Sequence, residues 1–162
     1  MAELKPIAGA RALLFERLVD IDPSQSSELR PFRTLSPRDL RGSVRRELTR
    51  LFDTRRHVSA RKVDLGQTLT VVDYGIPDIS DLSPQSAGDR QLMAAVMRQA
   101  IQAFETRLGQ VQVVVDTDPD DPRRVVVRIE GNLRSGTVVE AVSFPVGLRV
   151  KQMESGSHGA RP

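Results

Sequence analysis

Cysteine and tryptophan are absent from this 162-residue sequence, tyrosine occurs once, and histidine only twice. Without cysteine there is no disulfide framework, no thiolate nucleophile and no Cys-based metal site. The two histidines, His57 and His158, stand far apart, the second in a Gly/Ser-rich tail, so no zinc site follows. Aromatic residues make up only 4% of the chain, which leaves little surface on which sugars or bases could stack. No apolar run approaches the ~20 residues of a membrane span, and no leader-like apolar segment lies near residue 1. A cytoplasmic protein with no direct membrane insertion is expected. Basic residues nowhere form a block of five or six, which argues against a dedicated nucleic-acid arm.

What is present is a soluble composition, 39% apolar and 28% charged, with room for one domain and a real core. Net charge is +3, and of 24 basic residues only Lys5, Lys62 and Lys151 are lysine. Arginine in such excess suits phosphate binding or bidentate carboxylate pairing in assemblies, and it also arises from coding bias alone.

Along the chain, residues 8–19 read as a short helix with Leu14, Phe15 and Leu18 on one side, too short to stand alone. Residues 20–34 are polar and broken by Pro23 and Pro31, as a linker is. A strong helix start follows at Ser36, Pro37 and Asp39: a cap, a proline at the first helical position and a favourable charge. Leu40, Val44, Leu48, Leu51 and Phe52 recur at helical spacing, against a mostly basic face of Arg41, Arg45, Arg46, Glu47 and Arg50. That face is either solvated or a docking surface for an acidic partner. Residues 54–85 lack strong periodicity, and Gly75 to Asp78 reads as a turn. A second long helix is expected over 86–108, opened by Ser86 and Asp89, with a wide apolar face of Leu92, Met93, Val96, Met97, Ala100, Ile101 and Phe104.

Three strands are expected after it: 111–115; 123–133, where Val125, Val127 and Ile129 alternate with Val126, Arg128 and Glu130; and 138–146. The expected architecture is therefore α+β: two long helices packed on a small antiparallel sheet of about three strands, with an N-terminal helical arm. Its divisions are an N-terminal helix and linker over 1–35, the α+β domain over 36–150, and a tail over 151–162 that is disordered by composition.

Where the second helix runs into strand 111–115 stand Glu105 and Arg107. Two residues apart on a helix they do not face each other, so they are expected to reach outward toward a partner's charges.

In order, these segments resemble the TssE family of type VI secretion baseplate subunits, itself similar to the phage-tail wedge protein that initiates the contractile sheath. The residues that carry the resemblance are Leu14-Phe15-Glu16-Arg17-Leu18, Ser43-Val44-Arg45-Arg46-Glu47-Leu48 and Leu51-Phe52-Asp53-Thr54-Arg55-Arg56. Val72-Asp73-Tyr74-Gly75-Ile76-Pro77-Asp78, Ile101 through Leu108 and Val139 through Phe144 complete them. The family's Glu-Pro-Arg tripeptide here reads Glu105-Thr106-Arg107, which keeps the charged ends and loses proline's stiffening. The resemblance implies a non-enzymatic assembly protein without a cofactor. Its partners would be baseplate wedge subunits, held at the Glu105–Arg107 corner, and contractile sheath subunits, whose arms add to an open sheet edge. On this basis Glu105, Arg107, Arg55, Arg56, Val138, Glu140, Val142 and Phe144 are the expected partner-binding residues.

Three other functions compete. A glycosidase needs two carboxylates about 5–9.5 Å apart in a cleft, and only Glu105 suggests itself. A nucleic-acid module would use the basic helix but lacks aromatic platforms and a recognisable signature. A regulatory adaptor binding a single protein partner is compatible with the same fold.

Overall fold

The computed structural model describes residues 10–11, 13–14, 34–121, 124–135 and 138–149. The first elements are two short strands, β1 (Ala10–Arg11) and β2 (Thr34–Leu35), paired antiparallel. The expectation of a helix over 8–19 is therefore corrected at Ala10 and Arg11, where a backbone ladder to a distant segment replaces local turns. Leu14 is helical and 63% exposed. The rest of that helix, most of the linker and the tail over 151–162 lie outside the described residues.

The first long helix, α1 (Pro37–Asp53), begins as the sequence dictates. Ser36 is the N-cap and its hydroxyl accepts the Asp39 N–H at 3.2 Å, with Pro37 at the first helical position. Leu40, Val44, Leu48, Leu51 and Phe52 are buried along one face, joined there by a polar residue, Ser43. At Thr54 the backbone turns extended, and the chain enters β3 (Arg55–Ser59). That strand pairs in parallel with β4 (Ile76–Asp78), across an intervening segment containing two 3-10 turns, Ala60–Lys62 and Val71–Asp73. Gly75 makes the entry to β4 possible. Its φ is +110°, and a Cβ there would lie 2.6 Å from the Thr54 carbonyl oxygen, which accepts the Ile76 N–H at 2.9 Å.

The second helix, α2 (Ala87–Phe104), is capped by Ser86, whose hydroxyl accepts the Asp89 N–H at 3.2 Å. Asp89 also accepts the Ser83 N–H at 2.9 Å and two bonds from Arg61, tying the helix start to the turn after β3. Met93, Val96, Met97, Ala100 and Ile101 form its buried face, so the methionines are core filler. The helix ends at Phe104, four residues earlier than its pattern suggests, because Glu105 leaves helical geometry and residue 108 is already strand.

The main sheet comprises β5 (Leu108–Thr117), β6 (Arg124–Ser135) and β7 (Val138–Arg149), antiparallel in the order β5-β6-β7. Val125, Val127 and Ile129 of β6 are fully buried while Val126, Arg128 and Glu130 are exposed, the expected two-residue alternation. All three strands are longer than their hydrophobic runs, because ladder bonds continue where the side chains turn polar. Near its start β5 is irregular between Gly109 and Gln112, and Gln110 takes a φ of +51°. One cluster of buried apolar side chains draws on both helices, the connecting segments and all three strands of the sheet.

Candidate functional site

Two features stand out on this frame: the corner between α2 and β5, and the outer side of β7 beside α1. At the corner, Glu105 is the C-cap of α2, with φ −114° and ψ 74°. Its N–H still donates to the Ile101 carbonyl at 2.8 Å, and its own carbonyl accepts the Leu108 N–H at 3.1 Å. Because Glu105, Thr106 and Arg107 all lie outside helical geometry, the two-residue spacing no longer separates the side chains. Arg107 donates from Nε to Glu105 Oε1 at 2.8 Å and from Nη2 to Oε2, a bidentate pair. Its backbone N–H adds a third bond to Oε1 at 3.1 Å, and Nη1 reaches Ser43 Oγ on α1 at 2.7 Å.

The expectation that Glu105 and Arg107 point outward in different directions is thus corrected. They face each other, with side chains only 5% and 13% exposed, and they lock α2, β5 and α1 together. The rule that residues two apart do not meet belongs to the helix, and the helix has ended one residue before Glu105. Both carboxylate oxygens of Glu105 accept hydrogen bonds from Arg107. Thr106, between them, is exposed.

Ser43 is a third member of this corner that the sequence pattern alone did not assign. Its signal was there: a hydroxyl between Leu40 and Val44 on an otherwise apolar helix face needs a buried partner.

The remaining expected site residues divide between surface and interior. Arg55 is exposed on β3. Arg56 is buried, because the period of β3 turns it inward. Its Nη2 lies 4.0 Å from Asp73 Oδ1, and its Nη1 has no hydrogen-bond partner. Thr70 holds the Asp73 carboxylate below the usual range through its N–H at 2.9 Å and its hydroxyl at 3.0 Å, with Arg56 a lesser contributor. Nearby, Tyr74 meets Phe104 edge-on with ring centroids 5.2 Å apart, and burial raises its phenol pKa.

On β7, Val138 pairs with Ser135 at the start of the ladder. Glu140 accepts a 2.6 Å charged hydrogen bond from Arg41 of α1. Val142 is half-buried, while Phe144 is 3% exposed and belongs to the core. Between α1 and this strand lies a cavity of about 680 Å³, walled by Arg38, Arg41, Gly42 and Arg45 and by residues 141–144. The basic stripe read from the sequence therefore stands partly opposite the strand read as an open edge. Nothing in the one-dimensional pattern brought the two together.

Comparison with known proteins yields a family and a similar solved structure. A chain from a structure described as "The baseplate complex from the type VI secretion system" is similar at 14% identity and a TM-score of 0.48, over 69% of this sequence and 96% of that chain. A search of curated proteins finds no significant match. The family model described as "Baseplate wedge protein gp25" matches residues 38–137. That span begins in the first turn of α1, includes the Glu105–Arg107 corner, and stops just before β7. It is more than half of the sequence, and the chain belongs to the gp25 family of baseplate wedge proteins.

Proposed function

We propose that this chain is a non-enzymatic structural subunit of a type VI secretion baseplate, docking in the wedge and initiating contractile sheath assembly. Its family supports a structural role in a baseplate; the open edge of β7 carries the finer reading. Among the described residues β7 pairs only with β6, so its outer backbone groups have no strand partner. Pro145 sits in the β6–β7 ladder without a lost bond only if its nitrogen faces outward. By the two-residue period, Ala141 and Ser143 then turn their N–H and C=O groups the same way. An extended arm from a sheath subunit adds there as a fourth strand, from Val138 toward Ser143, and Pro145 ends the new ladder.

The wedge contact lies at the α2–β5 corner. Glu105 and Arg107 hold its shape by gripping each other, in place of the stiffness a proline would give, and present Thr106 and the rim of Arg107 to a wedge subunit. Arg55 extends this contact surface, and Arg56 lies buried beneath it. Glu140, Val142 and Phe144 support the β7 edge from its inner face. The assembly forms in the cytoplasm.

Co-purification of the tagged chain with wedge and sheath subunits tests this. Wild type is expected to retain both classes. Ala141→Pro, which removes an outward N–H, is expected to lose sheath subunits and keep the wedge. Thr106→Glu is expected to do the reverse. Retention of neither class by wild type overturns the reading.

A further inference from the structure

We infer that the β7 edge selects an acidic strand, with Arg38 and Arg45 of α1 as the residues that read it. This rests on the proposed role of β7 as a docking edge and adds the chemistry of what docks. Four consecutive β7 residues, 141–144, border the cavity. Successive side chains of a strand point to opposite faces, so a space touching four in a row runs along the strand's edge. The opposite wall is one face of α1, where positions 38, 41, 42 and 45 stack at helical spacing. From 38 to 45 the helix rises roughly 10 Å. Residues 141–144 extend roughly the same distance, so the two walls match in length.

Gly42 keeps the helix wall open at its middle, since a Cβ there would meet only the tip of Arg46, at 3.6 Å. Of the three lining arginines, Arg41 is committed to Glu140. Arg38 and Arg45 are exposed and have no carboxylate partner among the described residues. Among the described residues, the groove therefore offers two uncompensated guanidinium groups on one wall and backbone donors and acceptors without a strand partner on the other. A neutral strand satisfies the backbone alone. A strand with Asp or Glu at alternate positions satisfies both walls, and one bearing Lys is repelled. Nucleic-acid phosphates would answer the arginines but not the strand edge, so a polypeptide is the better fit.

The test is fluorescence anisotropy on the full chain with labelled eight-residue peptides of alternating Val/Glu, Val/Gln and Val/Lys. The glutamate peptide is expected to bind about tenfold more tightly than the glutamine peptide, the scale of two partly exposed ion pairs, and to weaken as salt rises. Arg38→Gln/Arg45→Gln is expected to erase the preference, and Arg38→Glu/Arg45→Glu to transfer it to the lysine peptide. Both side chains are exposed, so unchanged thermal melting confirms that the variants fold.

Equal binding of the glutamate and glutamine peptides overturns the inference, as does a preference that survives the double substitution. Displacement of the glutamate peptide by a single-stranded oligonucleotide at equal concentration overturns it too. Failure here is distinct from failure of the docking role. If Ala141→Pro loses sheath subunits while the peptides are not discriminated, the edge stands and its acid selectivity falls. If Ala141→Pro retains them, the edge reading falls and takes the inference with it.

Discussion

Replacing Arg107 by alanine removes three side-chain hydrogen bonds at once, two to Glu105 and one to Ser43. It leaves a carboxylate whose side chain is only 5% exposed with the backbone N–H of residue 107 but no guanidinium, and it takes one donor from the hydroxyl of a fully buried serine. Breaking a buried pair from one side costs about 3–5 kcal/mol, because the remaining charge is desolvated without compensation. For a chain of this size that lowers the Tm by roughly 6–20 °C. Circular dichroism melting and urea titration at pH 7 measure it directly. Glu105→Leu/Arg107→Met, which removes both charges and keeps the volume, is expected to melt well above Arg107→Ala, and the gap between them is the coupling. A loss under about 1 kcal/mol for Arg107→Ala would refute the view that this corner is an internal lock, since that is the scale of an exposed pair.

Three further outcomes are expected. Gly75→Ala should destabilise by more than about 1 kcal/mol in urea titration, because it needs positive φ and brings a Cβ against the Thr54 carbonyl. Arg56→Met should be neutral or stabilising in the same assay: its Nη1 is buried without a partner and its contact with Asp73 is long, so an apolar chain of similar length loses little. Asp73, Asp78 and Asp89 all have depressed pKa values, each chiefly because a backbone N–H bonds the carboxylate. Depressed folded-state values stabilise above the unfolded carboxyl pKa of about 3.9 and lose that contribution as pH falls through the folded values. Tm should therefore be flat from neutral pH down to the carboxyl range and fall below it, and a Tm that rises on acidification would contradict the assignment.

The two helices were legible because each carries its own start signal and a face of apolar residues at helical spacing. Ser36 and Ser86 cap where they were expected to, and the buried stripes of α1 and α2 are those read from spacing. β6 was legible for the same reason at period two. What escaped was non-local. β1 and β2 are two residues each, and β3 and β4 are short and parallel, so neither pair leaves a periodic trace. The corner was located correctly and oriented wrongly. Charge spacing was judged by helix geometry at a place where the helix stops, and the third anchor, Ser43, lies far away in sequence. The burial of Phe144 and Arg56 was hidden for the same reason, as burial depends on what lies across from a strand.

The unbroken registration of β6 with β7 from Arg124↔Arg149 to Ser135↔Val138 has a mechanical meaning. The bonds of an antiparallel ladder lie across the strands, so a pull along the axis of β7 loads the whole ladder together in shear, while a pull at right angles would peel it bond by bond. Tension entering β7 also reaches α1 through Glu140 and Arg41, and from α1 passes through Ser43 and Arg107 to the end of α2. The fold is thus braced most stiffly along the direction in which a strand joined to its edge would tug, and it is softest to a force lifting that strand away.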